Sequence, residues 1–282
     1  MSLQHVDQSI LVDREVSASG AGAHLIRRTW QIAVDLVPRY GVILAILAIW
    51  QLSGQFGWIN KAVFPPPDAV LTALWDGMIG GVLLDDMAIS LQRSGTAYAS
   101  AVLFAIPLGI IMGQIPTVER ALDPVVQVFR QTSALAVYPI FILILGLGEA
   151  SKVFVIFWAT LFPLLLNTIG GVKEVDHKLI EMARVYGASR LTVFRRVVMP
   201  GAIPSIFVGL RLSATTALLL LIASEMIGAN QGVGFRVMNA QYNFQIPMMF
   251  ASIVLLAAIG LSANYILVFL QRRLCRWSDL SK

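Results

Sequence analysis

Charge is what this chain has least of. Only 13% of its 282 residues are charged, where a soluble domain carries about 25%. Set against 57% hydrophobic residues, that shortage points to an integral membrane protein and away from a soluble enzyme. Cysteine is almost missing too. The single Cys275 excludes an internal disulfide and a cysteine-rich metal site. No G-x-x-x-x-G-K-[ST] run occurs, so no nucleotide-cradling loop is expected in this chain. The histidines, His5, His24 and His177, all lie outside the apolar stretches, which leaves an intramembrane enzyme without its His-x-x-x-His or Ser/His pair. Residues 1–24 contain no apolar run of signal-peptide length, so none is expected. The net charge of +5 comes from basic residues scattered among apolar runs. Membrane orientation explains that scatter better than a nucleic-acid partner does.

What is present is long apolar sequence. A spanning helix needs about 20 mostly apolar residues. Six stretches qualify, near 40–58, 92–114, 132–148, 151–171, 204–226 and 247–270. The expected fold is all-α, a polytopic membrane protein of about six transmembrane helices. A tail, 1–38, precedes the transmembrane domain, 39–282. In the tail Leu25, Ile26, Trp30, Ala33 and Val37 recur at near-helical spacing, as an interfacial helix or an extension of the first span. Pro107, Pro139 and Pro163 predict kinks inside spans. Gly109 and Gly113 predict a close helix approach within the molecule.

The basic residues set direction. Arg14, Arg27, Arg28 and Arg39 precede the first span; Arg120 and Arg130 lie between the second and third. Lys173, Lys178, Arg184, Arg190, Arg195 and Arg196 lie between the fourth and fifth, and Arg272, Arg273, Arg276 and Lys282 follow the sixth. Every second connection is basic, so both termini and the loop at 176–200 are expected in the cytoplasm.

That loop is a polar island. Asp176 is a good helix N-cap. Leu179, Met182, Ala183 and Tyr186 follow at i, i+3, i+4 and i+7, one apolar stripe on a short helix. Lys178, Glu181 and Arg184 take another face, spaced for local ion pairs. Gly187 sits where a left-handed cap ends the helix. A second amphipathic helix follows, and Pro200 and Pro204 mark the return to the membrane. The expected product is a rigid protrusion with an exposed apolar stripe that fits a groove on a partner. Glu181 is either a docking acid or a charge that stabilises the helix.

Glu181, Ala183, Gly187, Val197, Met199 and Pro200 also resemble, at the same spacing, the signature loop of binding-protein-dependent ABC importer permeases, with Met182 in place of the middle Ala. Phe64-Pro65-Pro66-Pro67, Gly146-Leu147-Gly148-Glu149-Ala150-Ser151-Lys152, Gly209-Leu210-Arg211 and Glu225-Met226-Ile227-Gly228-Ala229 are similar to the nitrate, sulfonate and taurine branch. The resemblance implies a type I importer fold in a bacterial inner membrane. It implies a homodimer of permeases with no catalytic site and no cofactor of their own. ATP and Mg would be bound by separate ATPase subunits docked on the loop, with Leu179, Glu181, Met182, Ala183, Tyr186, Gly187 and Pro200 as the docking residues. A periplasmic binding protein would deliver a small, anionic solute, moved by alternating access.

Charged residues inside spans are costly and point to function. Arg93 and Glu225 fall near the same expected side of the membrane, to pair with each other or to line a path in which Arg93 attracts an anion. Arg211, Thr215 and Glu225 share one stripe of the fifth span. Arg211 and Glu225 lie about 21 Å apart along it, too far to pair. The polar segment 229–245 reads as a gate, a seat for a binding protein or a solvated loop. The competing class is an ion-coupled secondary transporter, which needs a buried mid-membrane carboxylate; only Glu225 lies within an expected span.

Overall fold

The computed structural model describes residues 41–56, 60 and 63–275. The expected tail helix at 25–37 lies outside them. The chain divides into two compact units, 1–69 and 70–282. The first contains helix α1, Gly41–Gln55. There the Trp50 indole donates to the Pro65 carbonyl at 3.1 Å and its ring tilts against Phe64.

After α2 (Pro67–Ile79) come the helices α3 (Val82–Gln114), α4 (Pro116–Gln131), α5 (Ala134–Leu145) and α6 (Glu149–Lys173). They are followed by α7 (His177–Val185), α8 (Arg190–Val193), α9 (Met199–Gly228), α10 (Val233–Tyr242) and α11 (Ile246–Leu274). No strand occurs among the described residues. With no water in lipid to satisfy free backbone groups, helices that close their own hydrogen bonds are the expected answer.

Helix α6 packs between α3 and α9, and small residues set both contacts. A Cβ on Gly109 would lie 2.7 Å from Thr168, and one on Gly113 would lie 2.8 Å from Val172. The Gly109/Gly113 face is therefore an internal seam, as its spacing predicts. On the other side Gly209 faces Asn167, and Gly171 faces Ala202 and Ser205. Hydroxyls in these helices bond to backbone: Thr160 and Thr168 to carbonyls four residues back, and Ser213 across to the Thr160 carbonyl at 3.0 Å.

Four or five of the expected spans are found among the described residues. Four helical segments among the described residues are long and apolar enough to cross: α3, α6, Arg190–Gly228 and α11. The bent pair α4 and α5 would add a fifth. The third expected span is instead the 12-residue α5, turned 98° from α4. Thr132 and Ser133 between them take extended ψ values of 121° and 119°, which stops one helix and starts another. At 1.5 Å per residue α5 reaches about 18 Å, short of a roughly 30 Å hydrocarbon layer. The second expected span begins ten residues early: α3 has 33 residues and carries Asp85, Asp86 and Ser90 in the added part. Helix α4 occupies what reads as a loop. Pro116 starts it, and Val118, Leu122, Val126 and Phe129 form its apolar side.

Candidate functional site

Two constellations stand out, at opposite ends of α9. The first is the elbow formed by α7 and α8. Asp176 caps α7 through the Lys178 N–H at 2.9 Å. The helix ends in a paired closure. Gly187, at φ +77°, donates to the Arg184 carbonyl at 2.9 Å, and Ala188 donates to the Ala183 carbonyl at 3.0 Å. Ser189 then caps α8 by accepting from the Thr192 N–H.

The stripe read from the sequence divides in two. Leu179, Met182 and Tyr186 are exposed, Tyr186 by 86%. Ala183 turns inward instead, with Ile180 and Ala188, against a core of Val172, Val193, Val198, Ala202 and Ile206. Its small side chain serves packing beneath the elbow rather than the outer face. Glu181 is exposed, and Lys178, Glu181 and Arg184 form no ion pair with one another among the described residues.

The elbow runs into α9 without a break. Phe194–Val198 form one wide π-helical turn, in which the Met199 N–H reaches back five residues to the Phe194 carbonyl. That turn lies directly before Pro200, which has no N–H to give to the turn behind it. Arg190–Gly228 is therefore one helical rod of 39 residues.

The second constellation is a buried charge cluster. Arg93 on α3 is 5% exposed and Glu225 on α9 is fully buried. Arg93 Nη1 donates to Glu225 Oε1 at 2.8 Å and to the Gln231 carbonyl at 2.7 Å. Arg93 Nε and Nη2 donate to the two Glu149 oxygens at 2.5 and 2.6 Å. Every guanidinium nitrogen is engaged, so the pairing alternative is the one this geometry takes. Lys152 adds a second cation near Glu149, at 3.6 Å.

Three consecutive backbone N–H groups complete the cluster. Gly232 donates to Asp86 Oδ1 at 2.8 Å, Val233 to Ser90 Oγ at 2.9 Å and Gly234 to Glu225 Oε2 at 2.8 Å. These are the unpaired donors that begin α10. Two carboxylates also suit the positive end of its dipole. Ser90 donates in turn to Glu225, and Arg236 Nε donates to Asp86 Oδ2 at 2.7 Å. A side chain on Gly232, at φ +119°, would collide with the Glu225 carboxylate. Asp86, Ser90 and Arg93 stand at i, i+4 and i+7, a polar stripe that the sequence displays; Glu149, Gln231 and Arg236 join only through the fold.

Arg211 and Thr215 remain apart from this cluster, exposed midway along α9, with the Thr215 hydroxyl bonded to the Arg211 carbonyl at 3.2 Å. Among the described residues no group of three or more His, Cys, Asp or Glu could hold a metal ion.

The sequence profile of the family described as "Binding-protein-dependent transport system inner membrane component" matches residues 105–276. The putative aliphatic sulfonates transport permease protein SsuC of Escherichia coli (strain K12) is 37% identical, over 83% of this chain and 89% of that one. The taurine transport system permease protein TauC of the same strain is 34% identical, over 88% and 92%. The bicarbonate transport system permease protein CmpB of Synechocystis sp. (strain PCC 6803) is 30% identical, over 89% and 94%. Among solved structures, an inward-facing MetNI methionine ABC transporter superposes with TM-score 0.57 at 19% identity, covering 68% of this chain and 96% of that one. At that identity the likeness is one of fold.

Proposed function

Because this chain belongs to the family of binding-protein-dependent transport system inner membrane components, and so is the permease subunit of an ABC importer, we propose that it passes a small anion inward and is driven through its α7–α8 elbow. The observation that carries this reading is the unbroken rod from Arg190 to Gly228. A push on the elbow is a push on α9, with no flexible linker to absorb it. Leu179, Met182 and Tyr186 form the exposed apolar contact for a separate ATPase subunit, and Glu181 a charged one beside it. Gly187 fixes the angle between the two short helices.

In this reading both termini and the elbow face the cytoplasm, in line with the arginine-rich connections. Two permease copies form the pathway, two ATPases bind ATP and Mg, and a periplasmic binding protein delivers the solute. ATP-driven closure of the ATPases swings the spans from inward-open to outward-open. Three relatives carry names for sulfonates, taurine and bicarbonate, which share a small, negatively charged oxygen-rich group. Arg211 is the residue of the pathway suited to such a group, because it is exposed and without a side-chain partner among the described residues, whereas Arg93 is fully engaged. Arg93 and Glu225 then brace the pathway without lining it. An ion-coupled carrier would need a carboxylate free to take up a proton, and Glu225 already holds Arg93, Ser90 and the Gly234 N–H.

The test is to purify the permease with its ATPase as Gly187→Pro and as Glu181→Arg. A folded membrane domain with weakened ATPase association or uncoupled transport is expected. Normal co-purification and normal substrate-stimulated turnover in both variants would sink the docking role.

A further inference from the structure

A cavity of about 550 Å³ lies beneath the elbow, between the end of α3, the start of α4, the end of α6 and the inner sides of α7 and α8. Its charged lining is all of one sign. Lys173, Arg184 and Arg190 line it, with His177 beside them and no Asp or Glu. Lys173 is paired with Glu119. The Arg184 and Arg190 side chains have no partner among the described residues. The rest of the wall is mostly apolar, including Ile180 and Phe194.

The two sides of α7 separate this cavity from the docking stripe. His177, Ile180 and Arg184 stand at i, i+3 and i+7 and line the cavity. Leu179, Met182 and Tyr186 stand on the opposite side, and all three are exposed. Arg184 and Arg190, both exposed and without an acidic partner, line the same recess, and guanidiniums suit a phosphate or similar oxyanion. An apolar wall behind them suits a group that is charged at one end only.

We propose that this cavity binds a phosphate oxyanion, held by Arg184 and Arg190. The oxyanion is supplied either as free inorganic phosphate or as the headgroup of an anionic phospholipid. The site joins α3, α4 and α6 to the elbow, so its occupancy stiffens the elbow against the membrane domain. The proposal is independent of the docking reading and uses other residues.

The complete transporter, purified in neutral detergent, is titrated calorimetrically with inorganic phosphate. In parallel it is reconstituted in phosphatidylcholine with and without phosphatidylglycerol, re-extracted, and its retained phosphatidylglycerol counted per permease. Binding in one arm identifies the source. In Arg184→Gln/Arg190→Gln, or Arg190→Gln alone if the double variant does not fold, binding in that arm falls at least tenfold. In Lys178→Gln, which removes a basic residue of the same loop outside the cavity lining, it is unchanged. Absence of binding in both arms with the wild-type protein overturns the proposal. So does an equal loss in Lys178→Gln, which would mean a diffuse surface effect. Loss of the ATPase subunit from Arg190→Gln also overturns it, since that assigns the cavity to the docking joint.

Discussion

Arg93 and Glu225 lie 132 residues apart in sequence and meet at 2.8 Å with both side chains buried. Arg93 also holds Glu149, but Arg93 is the one cation paired with the fully buried Glu225 among the described residues. Removing one partner of a buried pair leaves an uncompensated charge, a loss of about 3–5 kcal/mol, whereas replacing both with apolar residues is often neutral. Arg93→Met is therefore expected to lower the melting midpoint of the detergent-solubilised protein more than Arg93→Met/Glu225→Met does. A double variant as unstable as the sum of the two singles would show that the pair is uncoupled.

Gly232 is a second pressure point on the same cluster. Its φ of +119° is strained for any side chain, and a Cβ there meets the Glu225 carboxylate. Gly232→Ala should destabilise the protein by about 1–3 kcal/mol. Gly95→Ala on α3, where a Cβ meets open space, is the matched control and should melt with the wild type.

The α3–α6 seam predicts a compensating pair. Gly113→Ala puts a methyl 2.8 Å from Val172, an overpacking of about 1–3 kcal/mol. Val172→Ala makes room on the facing helix. Thermal melts of the two singles and the double should show the double more stable than Gly113→Ala; no recovery would argue that the helices are spaced by something else.

In the pathway, Arg211→Glu reverses the charge of an exposed residue without touching the elbow. Uptake of an anionic substrate into proteoliposomes should fall at least tenfold while the ATPase still co-purifies. Unchanged uptake would remove Arg211 from the pathway.

The elbow is the most legible part of the molecule. Asp176 as a cap and Gly187 as a left-handed stop are local rules, and both hold in the structure. The inward turn of Ala183 is not legible, because an amphipathic helix has two apolar contacts available and its sequence does not say which belongs to its own core. The charge cluster is half legible. Asp86, Ser90 and Arg93 form a readable stripe, but Arg236 reaches Asp86 from 150 residues away, which only the fold decides. The bend at Thr132 and Ser133 is hidden for another reason. The residues after it are apolar throughout, and hydropathy registers oiliness without registering direction.

The first turn of α10 has no cap in its own sequence; its donors are satisfied by Asp86, Ser90 and Glu225 on two other helices. A ten-residue helix is marginal alone. The amides of Gly232, Val233 and Gly234 thus act as a built-in gauge of how close α3 and α9 stand. Hydrogen exchange there should be slow while the two helices hold their places, and should rise at Gly232 and Val233 when α3 moves away and at Gly234 when α9 does.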